Sequence, residues 1–153
     1  MAVKPVPEGY HTVVPFLIVK EADKLLAFLK QAFAAKEDEV MRAPDGSIWH
    51  ADVLIGDSHI MFSQASDQHP PMAAAIYLYL PDTDATYRAA LAAGATSTME
   101  PADQFYGDRT AGVKDPFGNI WWMGTHVEDV APDELKRRAA EVAKQRGMQP
   151  AAS

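Results

Sequence analysis

The chain has 153 residues, of which 48% are hydrophobic, and it carries a formal net charge of −7 and no cysteine. This length suits one domain, 1–153, that has room for two half-size repeats; the missing cysteines exclude disulfides, thiolate metal sites and a cysteine nucleophile. An acidic chain without a basic cluster or a long apolar run predicts a cytoplasmic protein that binds neither nucleic acid nor membrane.

The first half of the sequence predicts the element order β-α-β-β-β. Thr12 to Val19 is β-branched and aromatic, and Pro15 within it favours an edge position because proline has no N–H to donate. Residues 21–36 place apolar side chains at the i, i+3, i+4 spacing of a helix with one buried face. Three predicted strands follow, over residues 39–43, 47–55 and 58–64.

The second half repeats this order. A strand over 75–80 and a helix from Asp82 to Gly94 are followed by strands over residues 96–99, 110–114 and 119–125. An offset of about 61 residues carries Phe16 onto Tyr77, which indicates an old duplication. We therefore predict an α+β fold of two βαβββ repeats, about 8–66 and 73–127, with a C-terminal helix over about 131–146.

Counting outward from the turn at Gly56 pairs residue 55 with 58, 53 with 60 and 51 with 62, and opposite residues share a face. One face then has a core composition: Trp49, Ala51, Val53, Ile55, Ile60 and Phe62. The other face is mixed: Ile48, His50, Asp52, Leu54, His59, Met61 and Ser63. Two interpretations of the mixed face remain open. It is a solvated surface, or it is a cavity wall on which Asp52 orients His50 and tunes it for acid/base catalysis.

Candidate ligand-binding residues come from the second repeat. Tyr77 and Tyr79 alternate with better core residues in their strand, so we expect them to face a ligand. The segment DQFYGDR adds four polar or aromatic candidates: Gln104, Tyr106, Asp108 and Arg109. The Arg109 guanidinium suits a carboxylate or phosphate, or a structural ion pair with a nearby acid.

Four segments, in this order, resemble a known family: YHTVVPFLIVKEA, WHADV, DQFYGDR and DPFGNIWWM. They are similar to the vicinal oxygen chelate superfamily, which includes glyoxalase I, bleomycin-resistance proteins and extradiol dioxygenases, and more narrowly to its PhnB-like branch. The resemblance implies that the repeats form curved mixed β-sheets around a ligand cavity, and that the protein is a homodimer. It also implies that Trp122 faces the cavity with Tyr77 and Tyr79.

Metal-dependent members of that superfamily bind their ion through histidines and glutamates on the first and last strands of each repeat. The matching positions fall at or near Val14, Met61 or Ser63, Ala75 or Ile76, and Trp122, and none of these is a metal ligand. We therefore predict no cofactor. A divalent metal would need another set, such as His50 with Asp52 or His59.

Three functional hypotheses follow. The first is a metal-independent protein that binds a small molecule, an antibiotic or a metabolite, in a cavity between the repeats. The second is a lyase- or isomerase-type enzyme that uses His50, tuned by Asp52, as acid/base. Such an enzyme would work with or without a metal at a non-standard site. The third is an interaction protein with a vestigial cavity. Whether the protein is an enzyme stays open at this point.

Overall fold

The computed structural model describes residues 2–148. In chain order the elements are β1 (Phe16–Val19), α1 (Ala22–Phe33), β2 (Lys36–Arg42), β3 (Ile48–Ile55), β4 (Ser58–Gln64), β5 (Ala75–Tyr79), α2 (Thr83–Ala92), β6 (Thr96–Asp103), β7 (Asp108–Lys114), β8 (Ile120–His126) and α3 (Pro132–Gln145). The order βαβββ occurs twice and a C-terminal helix follows, which confirms the predicted α+β fold. The single-domain prediction reaches residues 1 and 149–153, which lie outside the described part.

Each repeat forms a four-stranded mixed sheet, in the orders β1-β4-β3-β2 and β5-β8-β7-β6. In both sheets the first strand of the repeat pairs in parallel with the last, and the other pairs are antiparallel. Phe16 lies opposite Met61, and Tyr77 lies opposite Trp122. The two registers therefore match at the offset that the sequence indicates.

The first strand is shorter than predicted and lies at the edge of its sheet. Regular pairing begins at Phe16, and the carbonyl of Pro15 accepts a hydrogen bond from the N–H of Met61 at 3.0 Å. Because proline has no N–H, it contributes only this acceptor at the start of an edge strand.

The core lies between the sheets and the helices that cover them. α1 buries one face completely, with Leu25 and Leu29 at its centre. Phe33 at its end packs on Trp121 of the second sheet, with ring centroids 4.9 Å apart. Because of the contact between Phe33 and Trp121, the buried residues of both repeats form one continuous core. Each fully buried large side chain in it contributes about 1.5–3 kcal/mol to the free energy of unfolding.

The predicted hairpin register is confirmed, but the predicted face of Trp49 is wrong. Ile55 lies opposite Ser58 and Ala51 opposite Phe62, as counted. Trp49, however, is 71% exposed. The pairing of β3 with β2 shifts register at this residue and leaves it without a partner, and such a bulge turns a side chain away from its regular face.

The C-terminal helix has no fully buried residue and is held at the turn after β6 and the chain after β8. Arg138 fixes it to the domain, since its guanidinium donates to the Glu128 carboxylate at 2.8 and 2.9 Å and to the Phe105 carbonyl at 3.3 Å. Within residues 2–148, no helix is both long enough and apolar enough to cross a membrane.

Candidate functional site

The segment DQFYGDR is a tight turn between β6 and β7 and not a broad loop. The Gln104 N–H donates to the Asp108 carbonyl at 2.7 Å, and the Gly107 N–H donates to the Gln104 carbonyl at 3.1 Å. The Gly107 carbonyl accepts from the N–H groups of Val127 and Glu128 at 2.9 and 3.0 Å. These bonds attach the turn to the chain that leaves β8.

The second sheet has one face toward the core and helices and an opposite, open face. The Arg109 side chain lies on the helix side, where it contacts carboxylates of α2 and β6. Its Nε and Nη2 donate to Asp84 at 2.5 and 2.9 Å, and its Nη1 donates to Asp103 at 3.1 Å. The hydrogen bond from Arg109 lowers the pKa of the Asp84 carboxyl. The guanidinium thus holds β7 against the first turn of the helix, and its predicted role in ligand binding stays a prediction.

Five of the predicted residues come together at the open face of the second sheet, the face opposite the core: Tyr77, Tyr79, Tyr106, Asp108 and Trp122. The rings of Tyr77 and Tyr79 lie 5.0 Å apart and both are exposed. Tyr77 crosses Gly124, where an added Cβ would lie 2.2 Å from the tyrosine hydroxyl. Glycine in a strand often allows such a close approach. Burial raises the pKa of Tyr77 and the neighbouring Tyr106 adds to this effect. We call these five residues the aromatic face.

Asp108 is the polar centre of that face. It is 3% exposed, and it accepts hydrogen bonds from the Tyr79 hydroxyl at 2.9 Å and binds Nδ1 of His126 at 2.8 Å. The other ring nitrogen of His126 lies 2.7 Å from the Asp129 carboxylate. The hydrogen bonds to Asp129 and then to Asp108 raise the pKa of His126. We call Tyr79, Asp108, His126 and Asp129 the Asp108 cluster.

The first repeat has a cluster of the same residue types around Asp52, which is 1% exposed. The Tyr10 hydroxyl donates to Asp52, and Nδ1 of His59 lies 2.8 Å from the other carboxylate oxygen. The rings of Tyr10 and His59 stack with centroids 3.8 Å apart. Asp38 completes the group, with its Oδ2 3.3 Å from the Tyr10 hydroxyl. We call these four residues the Asp52 cluster.

The expected contact between Asp52 and His50 is wrong in its geometry. In the described part of the chain, the side-chain hydrogen bonds of Asp52 come from Tyr10 and His59. Although His50 and Asp52 share a face of β3, the carboxylate is directed across the sheet to β4. The His50 ring instead lies 6.0 Å from that of Phe16, in a depression of about 730 Å³.

A separate cavity of about 410 Å³ lies between the repeats, and Tyr77, Tyr79 and His59 contribute to its lining. The predicted site residues are therefore divided among several places. The aromatic face is at the second sheet, His50 is in the depression of the first sheet, and Gln104 is in the turn. The catalytic and binding roles of all these residues stay predictions.

Sequence reasoning missed the contribution of Tyr10 and Asp38 to the Asp52 cluster. Tyr10 lies before β1 and is 42 residues from Asp52 along the chain, so no local spacing connects them. A signal for His59 did exist, because the hairpin count places it opposite Leu54, diagonal to Asp52 on the same face.

Comparisons with known proteins agree with this architecture. The model of the family described as Glyoxalase/Bleomycin resistance protein/Dioxygenase superfamily matches residues 10–123. An uncharacterized protein of Mycobacterium tuberculosis strain H37Rv is 34% identical over 136 residues, which cover 80% of this chain and 78% of the relative.

Two solved structures with low sequence identity show the same fold. TioX from Micromonospora sp. ML1 has a TM-score of 0.66 at 23% identity, covering 76% of this chain and 99% of its own. TnmS3, an antibiotic binding protein from Streptomyces sp. CB03234, has a TM-score of 0.60 at 19% identity and covers 82% of this chain and 98% of its own.

Proposed function

The chain belongs to the glyoxalase/bleomycin resistance protein/dioxygenase superfamily, and we propose that within it the protein binds a small molecule, an antibiotic or a metabolite, without using a metal. The observation that carries the proposal is the aromatic face. Tyrosine and tryptophan rings are presented there beside one buried carboxylate, at the edge of the cavity between the repeats.

The composition of the aromatic face indicates the chemistry of the ligand. Small-molecule sites are mostly apolar and aromatic with a few fixed polar groups, and offset or edge-on ring pairs contribute about 0.5–1.5 kcal/mol each beyond their burial. A planar ligand with a hydrogen-bonding substituent fits such a surface.

The relatives support this class of function. TnmS3, which shares the fold, is described as an antibiotic binding protein. Large apolar side chains are exposed on or near the open faces of both sheets, among them Trp49 and Tyr79. We propose that a second copy of the chain covers part of these faces, and that the homodimer acts in the cytoplasm.

The test is a fluorescence titration that uses Trp122 as the reporter. Trp49→Phe first removes the exposed tryptophan of the other repeat, while the buried Trp121 contributes a constant background. A panel of planar aromatic antibiotics and metabolites is then titrated with and without EDTA. We expect quenching by at least one compound class, and a loss of about tenfold in affinity for Tyr77→Ala, because one ring contact is worth about 1.4 kcal/mol.

Phe16→Ala is the matched control, since Phe16 occupies the same position in the first repeat as Tyr77 in the second. It should leave the affinity unchanged. The proposal is wrong if no compound quenches, if EDTA abolishes binding, or if both alanine variants weaken binding equally.

A second candidate is a lyase- or isomerase-type enzyme with His50 as acid/base. The observation in its favour is that His50 lines the depression of about 730 Å³ on the first sheet. Asp52 is directed to His59, so His50 would act there without a hydrogen bond from that carboxylate. Turnover that His50→Ala abolishes while ligand affinity is unchanged would select this candidate.

A further inference from the structure

Metal-ligating atoms from three strands converge at the Asp52 cluster. Asp38 on β2, Asp52 on β3 and His59 on β4 each offer one ligand atom, and these atoms all lie within 4.8 Å of one another. Nδ1 of His59 is 2.8 Å from Asp52 and 4.0 Å from Asp38. Ligand atoms around a tetrahedral ion with bonds of about 2.1 Å are about 3.4 Å apart, so the two observed distances bracket that spacing.

The charge of this cluster favours a cation. Within residues 2–148, neither Asp38 nor Asp52 forms an ion pair with a lysine or arginine, and His59 is their only cationic partner when protonated. A buried carboxylate is costly unless its charge is compensated. A divalent ion would compensate both carboxylates at once, and the half-exposed Asp38 leaves a path from solvent.

Tyr10 is placed to orient the ligands without being one. Its hydroxyl contacts Asp52 and Asp38, and its ring stacks on His59. Partners of this kind fix the direction of metal ligands and usually affect affinity.

The Asp108 cluster contains the same residue types, but its geometry does not allow them to bind one metal ion together. Its two carboxylates contact opposite ring nitrogens of His126, Asp108 at Nδ1 and Asp129 at Nε2. An ion bound to one nitrogen would be out of reach of the other carboxylate. In the Asp52 cluster both carboxylates approach Nδ1 of His59.

We infer that Asp38, Asp52 and His59 bind one divalent transition-metal ion. Two carboxylate oxygens and one imidazole nitrogen suit Zn²⁺, Ni²⁺ or Mn²⁺ better than soft ions that prefer sulfur. The site uses none of the superfamily's metal positions, and it goes beyond the proposed ligand binding, which depends on the aromatic face. The two proposals fail separately, because chelation removes the ion without changing the fluorescence titration.

The experiment is metal binding by the untagged full chain. The protein is stripped with EDTA, desalted, and titrated calorimetrically with ZnCl₂, NiCl₂ or MnCl₂ alone, and the metal retained after gel filtration is measured by elemental analysis. We expect one ion per chain for at least one metal. Loss of an outer partner weakens metal binding by about 10–100-fold, so Tyr10→Phe should do this and His59→Ala, which removes a ligand, should do more.

Two further variants keep the result interpretable. Asp38→Asn changes a half-exposed side chain, so it should fold even if a variant of the buried Asp52 does not, and it should also weaken binding. His126→Ala is the matched control and should bind like the wild type. The inference is overturned if no metal is retained in stoichiometric amount, or if His59→Ala or Asp38→Asn binds as tightly as the wild type.

Discussion

The Asp52 and Asp108 clusters use the same three residue types, an aspartate, a histidine and a tyrosine, but differ in the exposure of the histidine. Both carboxylates are almost fully buried. The side chain of His59 is 9% exposed, whereas that of His126 is 53% exposed. In the first repeat the histidine lies under Tyr10, and in the second it reaches solvent and Asp129.

This difference shows that the two repeats share their strand order and register but not the positions of their clusters. The two sheets share strand order and register, yet the clusters occupy different strand positions, the middle of β3 in one case and the start of β7 in the other. The first repeat directs two carboxylates to one nitrogen. In the second repeat the two carboxylates contact different ring nitrogens of His126, and the tyrosine of the cluster, Tyr79, also belongs to the aromatic face.

Gly107→Ala should disturb the Asp108 cluster most strongly. Gly107 has φ 98°, and an added Cβ would lie 2.1 Å from the Glu128 carbonyl oxygen. Backbone strain of about 2 kcal/mol and the loss of two hydrogen bonds at about 1 kcal/mol each give about 4 kcal/mol. The free energy of unfolding in urea measures this loss.

Gly56→Ala is the control in the first repeat. Its φ is also positive, at 58°, but nothing lies within 4 Å of the added Cβ, so only left-handed strain of about 1 kcal/mol is expected. Equal losses for the two variants would contradict the view that Gly107 is constrained by packing against the chain after β8.

Replacing Asp52 or Asp108 by alanine should show which cluster contributes more to the free energy of unfolding. Asp52→Ala leaves the enclosed His59 without its partner, and breaking a buried pair costs about 3 kcal/mol. Asp108→Ala leaves His126 in contact with Asp129 and water, so the loss should be nearer about 1.5 kcal/mol. Urea unfolding in EDTA compares the two without a contribution from metal, and a larger loss for Asp108→Ala would reverse the ranking.

The sequence allowed prediction of features that depend on periodicity and local turns. The repeat order, the Gly56 hairpin register and the alternation of Tyr77 and Tyr79 with core residues all follow from such patterns, and the structure has them. Side-chain partners were not predictable in the same way. Asp52 contacts His59 and not His50, although His50 is nearer along the chain. The Asp52 carboxylate is directed across the sheet toward β4, where the His59 imidazole is enclosed.

The smallest expected effect concerns the protonation of His126. Its pKa is raised above the ordinary 6.5 by Asp129 and Asp108. A group whose pKa is higher in the folded state stabilises the fold fully below its unfolded pKa, and this stabilisation is lost as pH rises through the folded pKa. The melting temperature of the wild type relative to His126→Gln should therefore fall as pH increases from about 6 to 8.

A second measurement separates this effect from general changes in packing. The NMR titration of the imidazole protons should give His126 a midpoint above 6.5, and Asp129→Asn should lower it because the hydrogen bond to Asp129 is the largest cause of the shift. Asp129 is fully exposed, so this substitution leaves the cluster's packing intact. If Asp129→Asn leaves the midpoint unchanged, the Asp129 carboxylate does not affect the pKa of His126. The contrast between the two clusters would then depend on the exposure of the histidine alone.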